Sequence, residues 1–123
     1  MAVLENLKYS QDHEWAKEED GVVVVGITDY AQSELGDLVF VNLPEEGDEV
    51  VAGEAFGDVE SVKAVSDVLS PVSGTVVAIN EELLDSPQLI NEDPYGAWFI
   101  KVENAEGLDD LMDAAGYEAF IEA

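Results

Sequence analysis

The apolar residues of this chain come in short β-branched runs, each closed within a few positions by glycine or proline. Val22-Val23-Val24-Val25, continued by Gly26-Ile27, is the clearest. Such a run is too short for a helix of several turns and, with no polar alternation, reads as a strand buried on both faces. Leu38-Val39-Phe40-Val41, Thr75 to Ile79 and Trp98 to Val102 are further strands. Between them, Leu43-Pro44-Glu45-Glu46-Gly47-Asp48 and Pro71-Val72-Ser73-Gly74 are turns by composition.

Helices are expected only at the periphery. Thr28 to Leu35 is one, with Thr28 as N-cap, Asp29 at the positive end of the dipole and Gly36 as the left-handed cap. Asn80 to Leu84 reads as a single capped turn stopped by Asp85-Ser86-Pro87, and Asn91 to Gly96 as loop. Leu108, Leu111, Met112, Ala115, Phe120 and Ile121 follow helical spacing. Gly116 interrupts that stripe and implies two short helices or a kinked one. The pattern is mainly β, a sandwich or partly closed barrel with helical additions. At 123 residues the chain supports one core, so a single domain over residues 1–123 is expected.

Charge excludes whole classes of function. Twenty-nine acidic residues face four lysines (Lys8, Lys17, Lys63, Lys101) and no arginine, for a net charge of −25. Binding nucleic acid requires neutralising phosphates with Lys and Arg, and anionic membrane surfaces make the same demand. Neither nucleic acid nor membrane is expected as a partner. The acidic residues are spread along the chain, which suits a surface adapted to a salty cytoplasm better than a docking patch for basic partners. No cysteine is present, which removes disulfides, thiolate metal sites and cysteine nucleophiles. The N-terminal stretch has no basic segment followed by a long apolar run, so a cytoplasmic location is expected.

The most informative stretch is Val59-Glu60-Ser61-Val62-Lys63-Ala64-Val65-Ser66-Asp67-Val68, nearly a palindrome about the Lys63–Ala64 bond. Folded back there, Val62 faces Val65, Ser61 faces Ser66, Glu60 faces Asp67 and Val59 faces Val68, a set of matched cross-strand partners. Lys63 and Ala64 are then the turn residues, and the lysine projects from the apex. Two features cost stability: Lys-Ala lacks the positive-φ residues that tight hairpins prefer, and Glu60 opposes Asp67. Tolerated costs of this kind mark sites in use. A hairpin-tip lysine is ordinarily just a solvated charge, but here it is one of only four.

Enzyme chemistry finds little support. His13 is the only histidine, and beside Trp15 it reads as structural; no second histidine follows at zinc-helix spacing. No Gly-x-Ser-x-Gly elbow or glycine-rich phosphate loop occurs. Asp109, Asp110 and Asp113 lack the calcium-loop pattern and are read as the wet face of the C-terminal helix. No catalytic or metal-binding residue is assigned.

The runs His13-Glu14-Trp15, Val25-Gly26-Ile27-Thr28-Asp29-Tyr30-Ala31-Gln32, Leu35-Gly36-Asp37, Val39-Phe40-Val41, Leu43-Pro44, Val59-Glu60-Ser61-Val62-Lys63-Ala64, Ser70-Pro71-Val72-Ser73-Gly74 and Asn91-Glu92-Asp93-Pro94-Tyr95-Gly96 resemble, in order and over nearly the whole chain, the H protein family of the glycine cleavage system. The resemblance implies two antiparallel sheets forming a flattened barrel, with short peripheral helices. It implies lipoic acid in amide linkage to Lys63. It also implies a carrier role: the arm takes an aminomethyl group from a pyridoxal-phosphate glycine decarboxylase and passes it to a folate-dependent aminomethyltransferase. Dihydrolipoamide dehydrogenase then reoxidises it, and a lipoate-attaching enzyme loads it beforehand. Such a protein supplies tethering and presentation while the chemistry belongs to cofactor and partners. A loaded arm folded against the protein between visits would be shielded from hydrolysis. Alternative readings are a lipoyl relay protein donating its group to other complexes, and an unmodified acidic interaction module. Biotin carriers flank their lysine with methionines, whereas here Val62 and Ala64 flank it.

Overall fold

A computed structural model describes residues 3–122. In chain order the elements are β1 Lys8–Tyr9, β2 Glu14–Glu19, β3 Val22–Ile27, α1 Asp29–Leu35, β4 Leu38–Asn42, β5 Glu49–Val50, β6 Ala55–Ser61, β7 Val65–Leu69, β8 Ser73–Ile79, α2 Glu82–Asp85, α3 Leu89–Glu92, β9 Ile100–Glu106 and α4 Ala114–Glu122, with a 3-10 turn at Leu108–Asp110 before α4. Two antiparallel sheets result: six strands in the order β1-β2-β3-β9-β8-β5, and three in the order β4-β6-β7. Neither closes on itself. The mainly β expectation, with two sheets and helices at the edge, matches this architecture.

β3 is the central strand the valine run implied. Val23, Val25 and Ile27 enter the core between the sheets with Val41, Val59, Val68, Val76 and Val102. Val24 points the other way, into a second cluster with Leu7, Tyr9, Trp15 and Tyr117. Each buried valine removes apolar surface worth about 1.5–3 kcal/mol from water, which holds the sheets together. The β2–β3 hairpin closes through Asp20 and Gly21, at φ 51° and 85°, the positive-φ pair that a tight twisted hairpin requires.

α1 begins where expected. Thr28 Oγ1 accepts from the Ala31 N–H at 3.2 Å, and Gly36 N–H donates to the Gln32 carbonyl at 3.0 Å. Gly36 has φ +82° but ψ −159°, so it leaves the helix in an extended glycine conformation, not a left-handed helical one. Other expectations need correction. Asn91 and Glu92 are not loop but the end of α3. The last strand starts at Ile100 and runs to Glu106, beyond Val102.

The C-terminal break falls before Ala114, not at Gly116, which lies inside α4. Met112 exchanges two backbone hydrogen bonds with Tyr9, each 2.8 Å, which forces extended backbone there. Asp113 Oδ1 then accepts from the Gly116 N–H at 2.8 Å and caps α4. Asp113 is therefore a cap, and Asp109 and Asp110 belong to the 3-10 turn; they do not form one helical face. No described helix is long and apolar enough to cross a membrane.

Candidate functional site: the Lys63 hairpin and the groove beneath it

Lys63 stands at the apex of the β6–β7 hairpin and is exposed. The chain turns one residue earlier than the palindrome implies. Glu60 pairs with Val65, Val59 with Ser66 and Asp58 with Asp67. The Ser61 N–H donates to the Ala64 carbonyl at 2.8 Å, so Val62 and Lys63 are the central turn residues. The two registers differ by two positions and leave Val59 and Val68 on the same face, so hydrophobic patterning cannot choose between them.

Ser61 and β4 make the choice. The Ser61 hydroxyl accepts from the N–H groups of Lys63 and Ala64, at 3.2 and 3.1 Å, and so satisfies the apex without a positive-φ residue. The Val62 N–H donates to the Asp37 carbonyl at 3.1 Å, which ties the apex to the segment leading into β4. The like-charge pair becomes Asp58–Asp67, and Asn42 Nδ2 donates to Asp58 Oδ1 at 2.7 Å.

The Lys63 side chain lies along Gly36, where a Cβ would stand 3.3 Å from Lys63 Cε. Gly36 is fixed from behind: Asn91 Nδ2 donates to its carbonyl at 2.9 Å, and Asn91 Oδ1 accepts from the Leu38 N–H at 2.9 Å. The other lysines are differently placed. Lys17 Nζ sits 3.2 Å from Glu19 Oε2, the only salt bridge among the described residues. Lys101 Nζ lies 4.8 Å from the centre of the Trp98 ring, and Lys8 is on edge strand β1.

Beside Gly36, a groove of about 190 Å³ opens between α1, the β2–β3 sheet and the inner face of the hairpin. Ile27, Leu35, Val59 and Val68 form its apolar floor. Glu14, Asp12 and Glu34 supply carboxyls. Glu14 is buried, 3% exposed, and Ser10 Oγ donates to its Oε1 at 2.6 Å. Burial, aided by the negative charge of Asp12, pushes the Glu14 carboxyl up to about 8, against the hydrogen bonds from Ser10 and the Leu69 backbone. At neutral pH it is therefore mostly protonated. The one available signal for this burial was period-2 alternation: Glu14 lies two residues before core residue Ala16 on the same strand.

His13, read as structural, sits at the groove rim at φ 70°. Its Nδ1 lies 2.8 Å from Tyr117 Oη, which is also 2.7 Å from Thr28 Oγ1. Tyr117 stacks on Tyr9 with centroids 4.6 Å apart, so this network locks α4 to the start of the chain. Burial lowers the His13 pKa, while Asp12 and Glu34 pull it upward. Tyr117, the buried anchor of α4, escaped the helical stripe because that stripe counted only the aliphatic residues and Phe120.

A primary amine at the apex of a braced antiparallel hairpin, above an apolar-floored groove, is the architecture of a carrier domain. The comparisons specify which. The model of the glycine cleavage H-protein family matches residues 7–123, and the chain belongs to that family. It is 57% identical over 122 residues to the glycine cleavage system H protein of Lachnoclostridium phytofermentans, covering 98% of this chain and 96% of that one. It is 58% identical to the H protein of Staphylococcus carnosus, covering 98% of each chain. The crystal structure of the H protein from Mycobacterium marinum superposes with a TM-score of 0.91 at 43% identity, over 98% of this chain and all of that one.

Proposed function

We propose that this protein is the lipoyl carrier of a glycine cleavage system, with lipoic acid held in amide linkage on Lys63 Nζ. The observation that carries the site assignment is the placement of Lys63: exposed, at a hairpin apex, and outside the only salt bridge among the described residues. The donor chemistry fits the group. An accessible primary amine can form an amide, and the groove's apolar floor suits an aliphatic chain folded back over Gly36. When bound, the lipoyl group supplies a disulfide that is reductively opened as the aminomethyl unit is taken up.

The protein's own residues do the rest. Ser61 and the Val62–Asp37 hydrogen bond hold the apex rigid, so the amine is presented at a defined height. Ile27, Leu35, Val59 and Val68 give the groove an apolar floor, and Glu14 offers a buried carboxyl to an amine arriving there. A carboxyl with its pKa near 8 becomes an anion when such a cation approaches, so Glu14 is neutral while the groove is empty and complementary when it is filled. The partners this reading implies are a pyridoxal-phosphate glycine decarboxylase, a folate-dependent aminomethyltransferase, dihydrolipoamide dehydrogenase and a lipoate-attaching enzyme. Tethering raises the effective concentration of the carried unit at each.

The test is intact mass of the protein after incubation with a lipoate-attaching enzyme. The wild type should gain one lipoyl increment and Lys63→Arg none. A full increment on the arginine variant overturns the assignment.

A further inference from the structure

Gly36, Asp37 and Leu38 join α1 to β4, and each of them meets the Lys63 hairpin. Gly36 lies under the Lys63 stem, the Asp37 carbonyl accepts from the Val62 N–H at 3.1 Å, and Leu38 pairs with Ser61. One side chain on α3 holds this strut. Asn91 Nδ2 donates to the Gly36 carbonyl at 2.9 Å, and Asn91 Oδ1 accepts from the Leu38 N–H at 2.9 Å. α3 is itself fixed, because the neighbouring Ile90 is fully buried in the core between the sheets.

The two Asn91 bonds fall on successive peptide planes. The Gly36 carbonyl belongs to the 36–37 peptide. The Leu38 N–H belongs to the 37–38 peptide, whose other end is the Asp37 carbonyl. Both are trans, and in a planar trans peptide the N–H and C=O point in opposite directions. Holding the Leu38 N–H therefore turns the Asp37 carbonyl onto Val62, and the two hydrogen bonds polarise each other. The orientation of the Asn91 amide is set further back. Gln32 Nε2 donates to Asp29 Oδ1 at 2.7 Å, so Gln32 Oε1 faces Asn91 and accepts from its Nδ2 at 3.0 Å. Satisfying two backbone groups would by itself account for an asparagine here; the relay back to Asp29 and on to Val62 would not. Resting on the carrier reading above, we propose that Asn91 is a positioning residue for Lys63: its carboxamide, oriented by Gln32 and Asp29, sets the 37–38 peptide that braces the hairpin apex and so fixes where the amine is presented. A braced apex leaves less to be ordered when a partner enzyme engages the amine, so Asn91 acts on KM and not on the chemistry at Nζ.

The experiment compares the wild type with Asn91→Asp, Gln32→Leu and a stability control, Val102→Ala, in the full unmodified chain. Asn91→Asp keeps the shape of the side chain but sets an acceptor against the Gly36 carbonyl and Gln32 Oε1. Val102 is buried on β9 in the other sheet, so its truncation lowers Tm without touching the relay. Exchange of the Val62 amide is followed by NMR, and loading of Lys63 by a lipoate-attaching enzyme by mass. Asn91→Asp is expected to speed Val62 exchange about tenfold and to raise the KM for loading about threefold or more, with kcat within about twofold. Gln32→Leu should move both in the same direction by less, and it carries the test should Asn91→Asp fail to fold. Val102→Ala should move neither. Wild-type Val62 exchange or wild-type KM in the folded variant overturns the proposal, as does a larger change in kcat or an equal rise of both readouts in Val102→Ala. No loading of wild-type Lys63 overturns the carrier reading, while Val62 exchange still decides whether Asn91 braces the apex.

Discussion

The Lys63 side chain runs across Gly36, close enough that any Cβ there would meet its Cε at 3.3 Å. Gly36 is the last residue of the α1 cap, and the preceding residue, Leu35, is part of the groove floor. The Lys63 stem therefore lies against the residue that follows the groove floor. Asn91, reaching over from α3, holds Gly36 in place.

Gly36→Ala tests this contact. At φ +82° and ψ −159° the backbone occupies a region essentially reserved for glycine, and forcing alanine into it costs about 1–3 kcal/mol. Tm should fall by roughly 4–12 °C, and NOEs from the Lys63 ε-methylene to residue 36 should shift or vanish as the stem swings away. A variant with unchanged Tm would mean that the turn does not have this backbone.

Glu14 makes stability depend on pH in a direction opposite to an ordinary carboxylate. Its folded pKa, about 8, lies above the ordinary value of 4.5. The stability it contributes is therefore full below about 4.5 and is lost as pH rises towards about 8. Relative to Glu14→Gln, the wild type should lose on the order of 2–4 kcal/mol between pH 5 and pH 8. Urea midpoints of both proteins at the two pH values measure it. Parallel pH dependence in both would show that the carboxyl is not buried as described. His13, at the same groove rim, is common to both proteins and cancels in the difference.

Salt should stabilise the fold. With a net charge of −25 and a single salt bridge among the described residues, most of the acidic side chains repel one another unpaired. The Debye length falls from about 10 Å at 0.1 M to about 3 Å at 1 M, which screens that repulsion. Tm is expected to climb steadily from 0.05 M to 2 M potassium chloride. A flat profile would leave the acidity without a role in stability.

Much of the fold could be read from local pattern. The buried strand Val22–Ile27, the Thr28 cap, the Leu43–Asp48 turn and the lysine at a hairpin end all rest on neighbours within a few residues, where propensity and periodicity act. Resemblance added the two-sheet architecture and the carrier role expected of Lys63. The hairpin register was not legible, because both candidates bury Val59 and Val68 and differ only in how the Ser61 hydroxyl and the Asp37 carbonyl are used.

The chain order of apolar runs and turn residues thus determined which segments are strands, and that one scarce lysine ends a hairpin. Tertiary structure alone decided which two residues make the turn, that Glu14 is buried beside Ser10, that α4 starts after Met112 bonds Tyr9, and that Lys63 rests on Gly36. These outcomes depend on partners brought from distant positions. A buried carboxyl or a strained turn is settled by the groups around it in space, and sequence spacing holds no record of those.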